Sequence, residues 1–165
     1  MINSPRAGVV AACALAAAIQ ILGCSGADAA EKLFSLVKAD GSTVDVTDED
    51  FEAVGIAEIT TRLVGESETR SQVRGPRFDA LLDHFGVDGE MVRVSGVDKY
   101  AADLPLDELK RYPVLLAYEI NGKRLTLRSK GPVWVVYPFD DHPEIEDQLR
   151  EARSVWQVGE VEVLQ

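Results

Sequence analysis

Few side chains in this 165-residue chain stand in patterns that carry chemistry. Asp140, Asp141 and His142 are three consecutive potential metal ligands, but Pro143 follows and opens a helix, so they read as the approach to its N-cap. The only other histidine is His84, on a predicted helix, which leaves too few ligands for a transition-metal site. Ser95 and Ser129 have no recognisable histidine partner. Neither a nucleophile elbow nor a glycine-rich phosphate loop is present, which argues against hydrolase and nucleotide chemistry. Read as extended chain, Arg124, Arg128 and Lys130 share one parity, with Leu125 and Leu127 facing the other way. That is either an anion-holding stripe or a solvated face whose charges discourage edge pairing. Trp134 and Trp156 each lie in an apolar, strand-like run and read either as core or as the walls of a cleft for something flat. The two cysteines are Cys13 and Cys24, so positions 25–165 hold no thiol. No catalytic residue is predicted.

The charge balance narrows the partners. Lys and Arg total 17 against 28 Asp and Glu, a net charge of −11. Nucleic acids and anionic lipid surfaces need clustered cations to neutralise phosphates, so neither is expected as a partner. Residues 1–29 read as a signal peptide: Arg6 leads, 7–22 is apolar except for Gln20, and Ala27-Asp28-Ala29 offers small residues for cleavage. The run is shorter than the about 20 residues of a stable span. Ile21-Leu22-Gly23-Cys24 resembles a lipoprotein cleavage box, which makes a lipid anchor at Cys24 the alternative to soluble release. Either route ends in the periplasm, and the cysteine-free remainder must be held by its core alone.

The elements that would position these residues form one domain over 31–165, with no repeat or linker. Asp40-Gly41 is a turn between two short strands, and Thr47 with Asp50 forms a capping-box start to a helix ending at Gly55. Phe78, Leu81, Leu82 and Phe85 form one helical stripe closed by Gly86. A second helix follows Pro105, with Asp107 and Glu108 early and Lys110 and Arg111 late. A third is expected from Pro143, with Ile145, Leu149 and Ala152 on its inner side and Arg150 and Arg153 at its end. Residues 114–120 and 133–137 are continuous apolar runs, as in strands covered on both faces. Asn121-Gly122 is the strongest hairpin signal, and Gly159 marks a bulge where the last strand switches parity. The fold class expected is α+β, with mixed short sheets or a partial barrel and three to four short helices.

One longer pattern adds to this reading. V-R-V-S-G-V-D-K-Y from Val92, L-P-L-D-E-L, P-V-L-L-A-Y-E-I-N-G-K-R-L and K-G-P-V-W-V-V-Y-P follow one another up to Pro138. Gly75-Pro76-Arg77-Phe78, Leu81-Leu82 and Ser154-Val155-Trp156-Gln157-Val158 extend the pattern outward. In this order the chain resembles the oxidoreductase molybdopterin-binding domain, the fold of sulfite oxidases and of bacterial periplasmic sulfoxide reductases. The resemblance implies that fold, a molybdopterin cofactor and a metal held by a cysteine thiolate. The segment matching the cysteine loop, 58–65, reads E-I-T-T-R-L-V-G and has no thiol, and Thr60 and Thr61 are poor substitutes for one. Where the family often shows H-G-x-P-x-R, Lys130-Gly131-Pro132 is followed by Trp134. Where it shows a Lys-Trp pair, Trp156-Gln157 stands. An indole offers one neutral N–H in place of a cation.

The expectation is therefore a degenerate, exported relative of the molybdenum oxidoreductases with no cofactor. It would bind a small ligand or a periplasmic protein through the former cofactor cleft, with Lys130, Trp134 and Trp156 beside it. The alternative is an active periplasmic oxidoreductase that holds molybdopterin without cysteine ligation of the metal. A purely structural role in a periplasmic assembly is a third reading.

Overall fold

The structure, a computed structural model, describes residues 31–66 and 69–164. The expected signal peptide 1–29 and the lipidation site Cys24 lie outside the described residues.

Strand β1 (Lys32–Val37) turns into β2 (Thr43–Thr47) through Gly41, whose φ of 80° suits glycine. Asp40 Oδ1 fixes that turn by accepting from both the amide and the hydroxyl of Ser42. The capping box forms as expected: Thr47 and Asp50 exchange hydrogen bonds at the start of α1 (Asp48–Val54), and Gly55 ends it. β3 (Ala57–Arg62) pairs with β4 (Arg70–Gly75). Helix α2 (Phe78–His84) buries Phe78, Leu81 and Leu82, the stripe visible in the sequence. β5 (Met91–Gly96) and β6 (Ala101–Pro105) lead into α3 (Leu106–Arg111), which has acids in its first turn and bases in its last.

The continuous apolar runs become β7 (Leu115–Ala117) and β10 (Trp134–Val136), paired as a ribbon that is buried on both faces. Leu115, Ala117, Trp134 and Val136 face a smaller core with Leu63, Val73 and Leu125. Leu116 and Val135 face the main core, which also holds Phe34, Phe51, Phe78 and Tyr137. Between the two strands of the ribbon, β8 (Glu119–Ile120) and β9 (Lys123–Arg124) form the Asn121-Gly122 hairpin, with φ 50° and 72° at its two central residues. The ribbon crosses β4 closely at Gly75, where a Cβ would stand 2.0 Å from the Leu116 carbonyl oxygen. After α4 (Gln148–Arg153), β11 (Val158–Leu164) enters the large sheet between β1 and β5, with a register shift against β5 between Val158 and Glu160.

The sheets are thus β2-β1-β11-β5-β6, with only β1 and β11 parallel, a β3-β4-β8-β9 sheet and the β7-β10 ribbon. Among the described residues they do not close into a barrel, and the class is α+β.

Two sequence expectations fail locally. Arg124, Arg128 and Lys130 do not share one strand, because β9 stops at Arg124 and 127–129 wind into one 3-10 turn. Thr126 and Ser129 cap that turn reciprocally, which competes with the extended form. The helix expected from Pro143 is divided. A single turn at Pro143–Ile145 ends, and Asp147 then caps α4 by accepting from the Arg150 amide at 2.8 Å. Of the predicted stripe only Ile145 is buried; Leu149 is 52% exposed.

Candidate functional site

Lys130, Trp134 and Trp156, 26 residues apart at their extremes, meet in space. Trp134 is held by β10 with its ring in the smaller core and its Nε1 donating to the Ser154 carbonyl at 3.1 Å. Trp156 is not the strand residue the sequence suggested. It sits in the bend between α4 and β11 and is 39% exposed. That bend is zipped against the ribbon: the Val135 amide donates to Val155, Gln157 to Lys130 and Val158 to Val133. Gln157 (φ 51°) and Lys130 (φ 68°) both adopt the left-handed conformation that this tight approach requires.

The two indoles meet edge to face at 6.2 Å and 89°. Lys130 Nζ lies 4.3 Å from the centroid of the Trp134 ring and 5.3 Å from that of Trp156. Glu66 Oε1 and the Val64 carbonyl receive the same ammonium at 3.2 and 3.5 Å. The Lys130 ammonium is therefore already partnered within the protein itself.

Clefts of opposite character open on the two sides of this cluster. One, of about 370 Å³, has Trp134, Leu63 and Leu125 in its floor and Lys123, Arg128 and Lys130 on its rim. Arg124, also on that rim, is engaged by Asp48 and by the Tyr118 ring. The other, of about 280 Å³, is walled by Val64, Tyr100, Ala152, Val155 and Trp156. Among the described residues its only charged lining groups are Asp98 and Glu151.

The segment aligned with the family's cysteine loop has become β3 and the turn after it. Thr61 is buried, with its hydroxyl donating to the Tyr137 carbonyl and accepting from the Asp140 amide, both at 3.4 Å. Thr60 points to the opposite, exposed face. These donors do not fit a thiolate-held molybdenum, and positions 25–165 contain no cysteine. Among the described residues no group of three or more His, Cys, Asp or Glu could hold a metal ion.

Asp140 belongs to a charge cluster rather than to a cap. It accepts from the Arg62 amide at 2.7 Å and from Arg70 Nε at 2.8 Å. Desolvation pushes its carboxyl up, but the hydrogen bonds and charges of Arg70 and Arg62 outweigh this and hold it below the usual carboxylate range. His142 caps nothing with its ring, which stacks edge-on against Tyr112 and meets Glu144 Oε1 at 3.2 Å.

A second buried cluster was not legible in the sequence. Glu108 accepts from Tyr137 Oη at 2.9 Å, from Arg150 Nη2 at 2.8 Å and from Arg153 Nη1 at 2.9 Å. Burial first, then the Glu108 charge and hydrogen bond, drive the Tyr137 phenol far above its usual range, so it remains protonated. The partners of Glu108 lie 29, 42 and 45 residues from it in sequence, and only the acid–base order of two short helices hinted at them.

The fold is that of a molybdopterin-oxidoreductase type of domain. A family profile described as "oxidoreductase molybdopterin binding domain" matches residues 51–139, more than half of the chain, and the protein belongs to that family. Among solved structures it is similar to the crystal structure of the sulfane dehydrogenase SoxCD from Paracoccus pantotrophus, with a TM-score of 0.58 and 15% identity. That similarity covers 80% of this chain but only 38% of the other, and it concerns the fold, which is of the sulfite-oxidase type. No curated protein matches the chain.

Proposed function

We propose that this protein is a degenerate, exported member of its family that binds a ligand or a protein partner through the cleft region around Lys130, Trp134 and Trp156. One observation carries the reading. The Lys130 ammonium is taken up by two indoles and Glu66, at the place where the family pattern calls for cations that grip an anionic cofactor. The competing reading, an active oxidoreductase with a molybdopterin held without cysteine, draws only on the family membership.

Elemental analysis and an absorption spectrum test this on protein isolated from a host that makes molybdopterin. The expected result is no stoichiometric molybdenum or pterin and no oxidation of sulfite. One equivalent of molybdenum would overturn the reading and direct attention to Thr60 and Thr61. Export is tested by intact mass in a Gram-negative host: a mature start at Ala30 or a lipidated Cys24 supports it, and an uncleaved chain refutes it.

A further inference from the structure

Five large apolar side chains stand exposed among the described residues: Val97, Tyr100, Leu127, Leu149 and Trp156. The segments that carry them meet at the bend at 154–157. Trp156 is part of it, and Tyr100 Oη donates to the Ala152 carbonyl at 2.8 Å just before it. The Val97 amide donates to the Gln157 carbonyl at 2.9 Å, and Gln157 Nε2 donates to the Leu127 carbonyl at 2.6 Å. Leu149 lies one turn before Ala152 on the same side of α4. Scattered exposed apolar residues need no explanation, but their concentration at one place marks an interaction surface.

The smaller cleft opens between two of these side chains, Tyr100 and Trp156, and its chemistry is specific. Trp156 and Tyr100 supply aromatic walls, while Asp98 and Glu151 supply carboxylates. Glu151 has no ion-pair partner among the described residues, and Asp98 accepts only from the Tyr100 amide. Among the described residues no basic side chain lines the cleft, and the nearby Lys130 charge is paired with Glu66. An apolar stem ending in a cation matches such a space, since the stem packs on the rings and the head reaches the acids.

We propose that this face docks a protein partner that inserts one lysine or arginine side chain between Trp156 and Tyr100. Apolar surface of the partner would then cover Val97, Leu127 and Leu149. This rests on the binding reading above and names its occupant. The volume of about 280 Å³ suits one side chain. A small free cation would leave the surrounding apolar surface in water, which is why a macromolecule is inferred. A second copy of this chain would bring another net −11 against the same acids, so the partner is a different, basic protein.

Capped tripeptides Leu-Lys-Leu, Leu-Arg-Leu and Leu-Glu-Leu, titrated into the mature protein and followed by indole fluorescence and amide NMR, test this directly. The two basic peptides should saturate, with shifts centred on Tyr100, Ala152 and the Trp156 indole N–H. Trp156→Ala should weaken them about tenfold and Glu151→Gln about threefold, and added salt should weaken them further. Trp156 is partly exposed, so an unchanged Tm of Trp156→Ala shows that lost binding is not lost folding. Equal binding of Leu-Glu-Leu, or no binding of either basic peptide, would overturn the proposal. Butylammonium binding as tightly as the peptides would overturn the protein partner and leave a small-cation pocket. Metal and pterin content measured on the same sample separates the two levels. A peptide-silent, cofactor-free protein refutes only the docking site, whereas stoichiometric molybdopterin refutes the reading beneath it.

Discussion

Three donors converge on one interior carboxylate: Tyr137 Oη, Arg150 and Arg153 all reach Glu108, whose side chain is only 8% exposed. A buried charge is tolerable only when its partners are in place, and removing one side leaves the others uncompensated. Here the Glu108→Ala change would strand two guanidinium groups and a buried phenol hydroxyl. The expected loss is about 3 kcal/mol, at the lower end for a broken buried pair because Arg150 keeps contact with water. Urea denaturation measures it, and Glu108→Gln, which can still accept from Tyr137, should lose less. A change below about 0.5 kcal/mol for Glu108→Ala would show that the cluster does not hold α4 in place. The same residue-level logic separates the two tryptophans. Trp134 has its N–H satisfied by Ser154 and its ring buried, so it is packing first; Trp156 is half outside, where a ligand can meet it.

At the scale of elements, what is local in sequence folds as its pattern indicates. Helix α2 presents Phe78, Leu81 and Leu82 to the main core through i, i+3 and i+4 spacing alone. Leu82→Ala should therefore destabilise the domain by about 2–5 kcal/mol in thermal or urea unfolding, and a neutral outcome would place α2 outside the core. The capping box at Thr47, the Asn121-Gly122 hairpin and the bulge at Gly159 were legible for the same reason, since each is decided by residues within a few positions. The divided helix after Pro143 was not. Its apolar spacing suggested one amphipathic stripe, but α4 is anchored by Arg150 and Arg153 on an acid that lies 42 and 45 residues earlier. Long-range ion pairs leave no periodic trace. The candidate site was legible in kind, because Lys130, Trp134 and Trp156 stood out against a family pattern. The exposure of Trp156 and the apolar surface around it were not legible, because they arise where four separate segments meet.

Over the whole molecule, acidity and ion pairing act against each other as pH changes. Protonating carboxylates relieves the repulsion of a −11 chain, yet several of those carboxylates are held in the folded state by specific donors. Asp140 sits below the usual range despite desolvation, through Arg70 and Arg62. The hydrogen bond from Arg93 lowers Asp103, and the Arg150 amide lowers Asp147. A depressed folded value means that the unfolded chain takes up protons first. The stabilisation is therefore complete above the unfolded value of about 4 and is lost as pH falls through the folded values below it. At the other end, the raised Tyr137 phenol means that the unfolded chain loses its proton first, so stability also falls as pH rises beyond about 10. Denaturation midpoints across pH should trace a plateau between these limits. Asp140→Asn supplies the sharper check, because the amide keeps the shape and can still accept from the Arg62 N–H. The variant should be less stable than the parent near neutral pH and converge with it as the parent's Asp140 becomes protonated. If the two curves stay parallel into strong acid, the Arg62–Asp140–Arg70 cluster is not what ties β3 and β4 to the loop after β10.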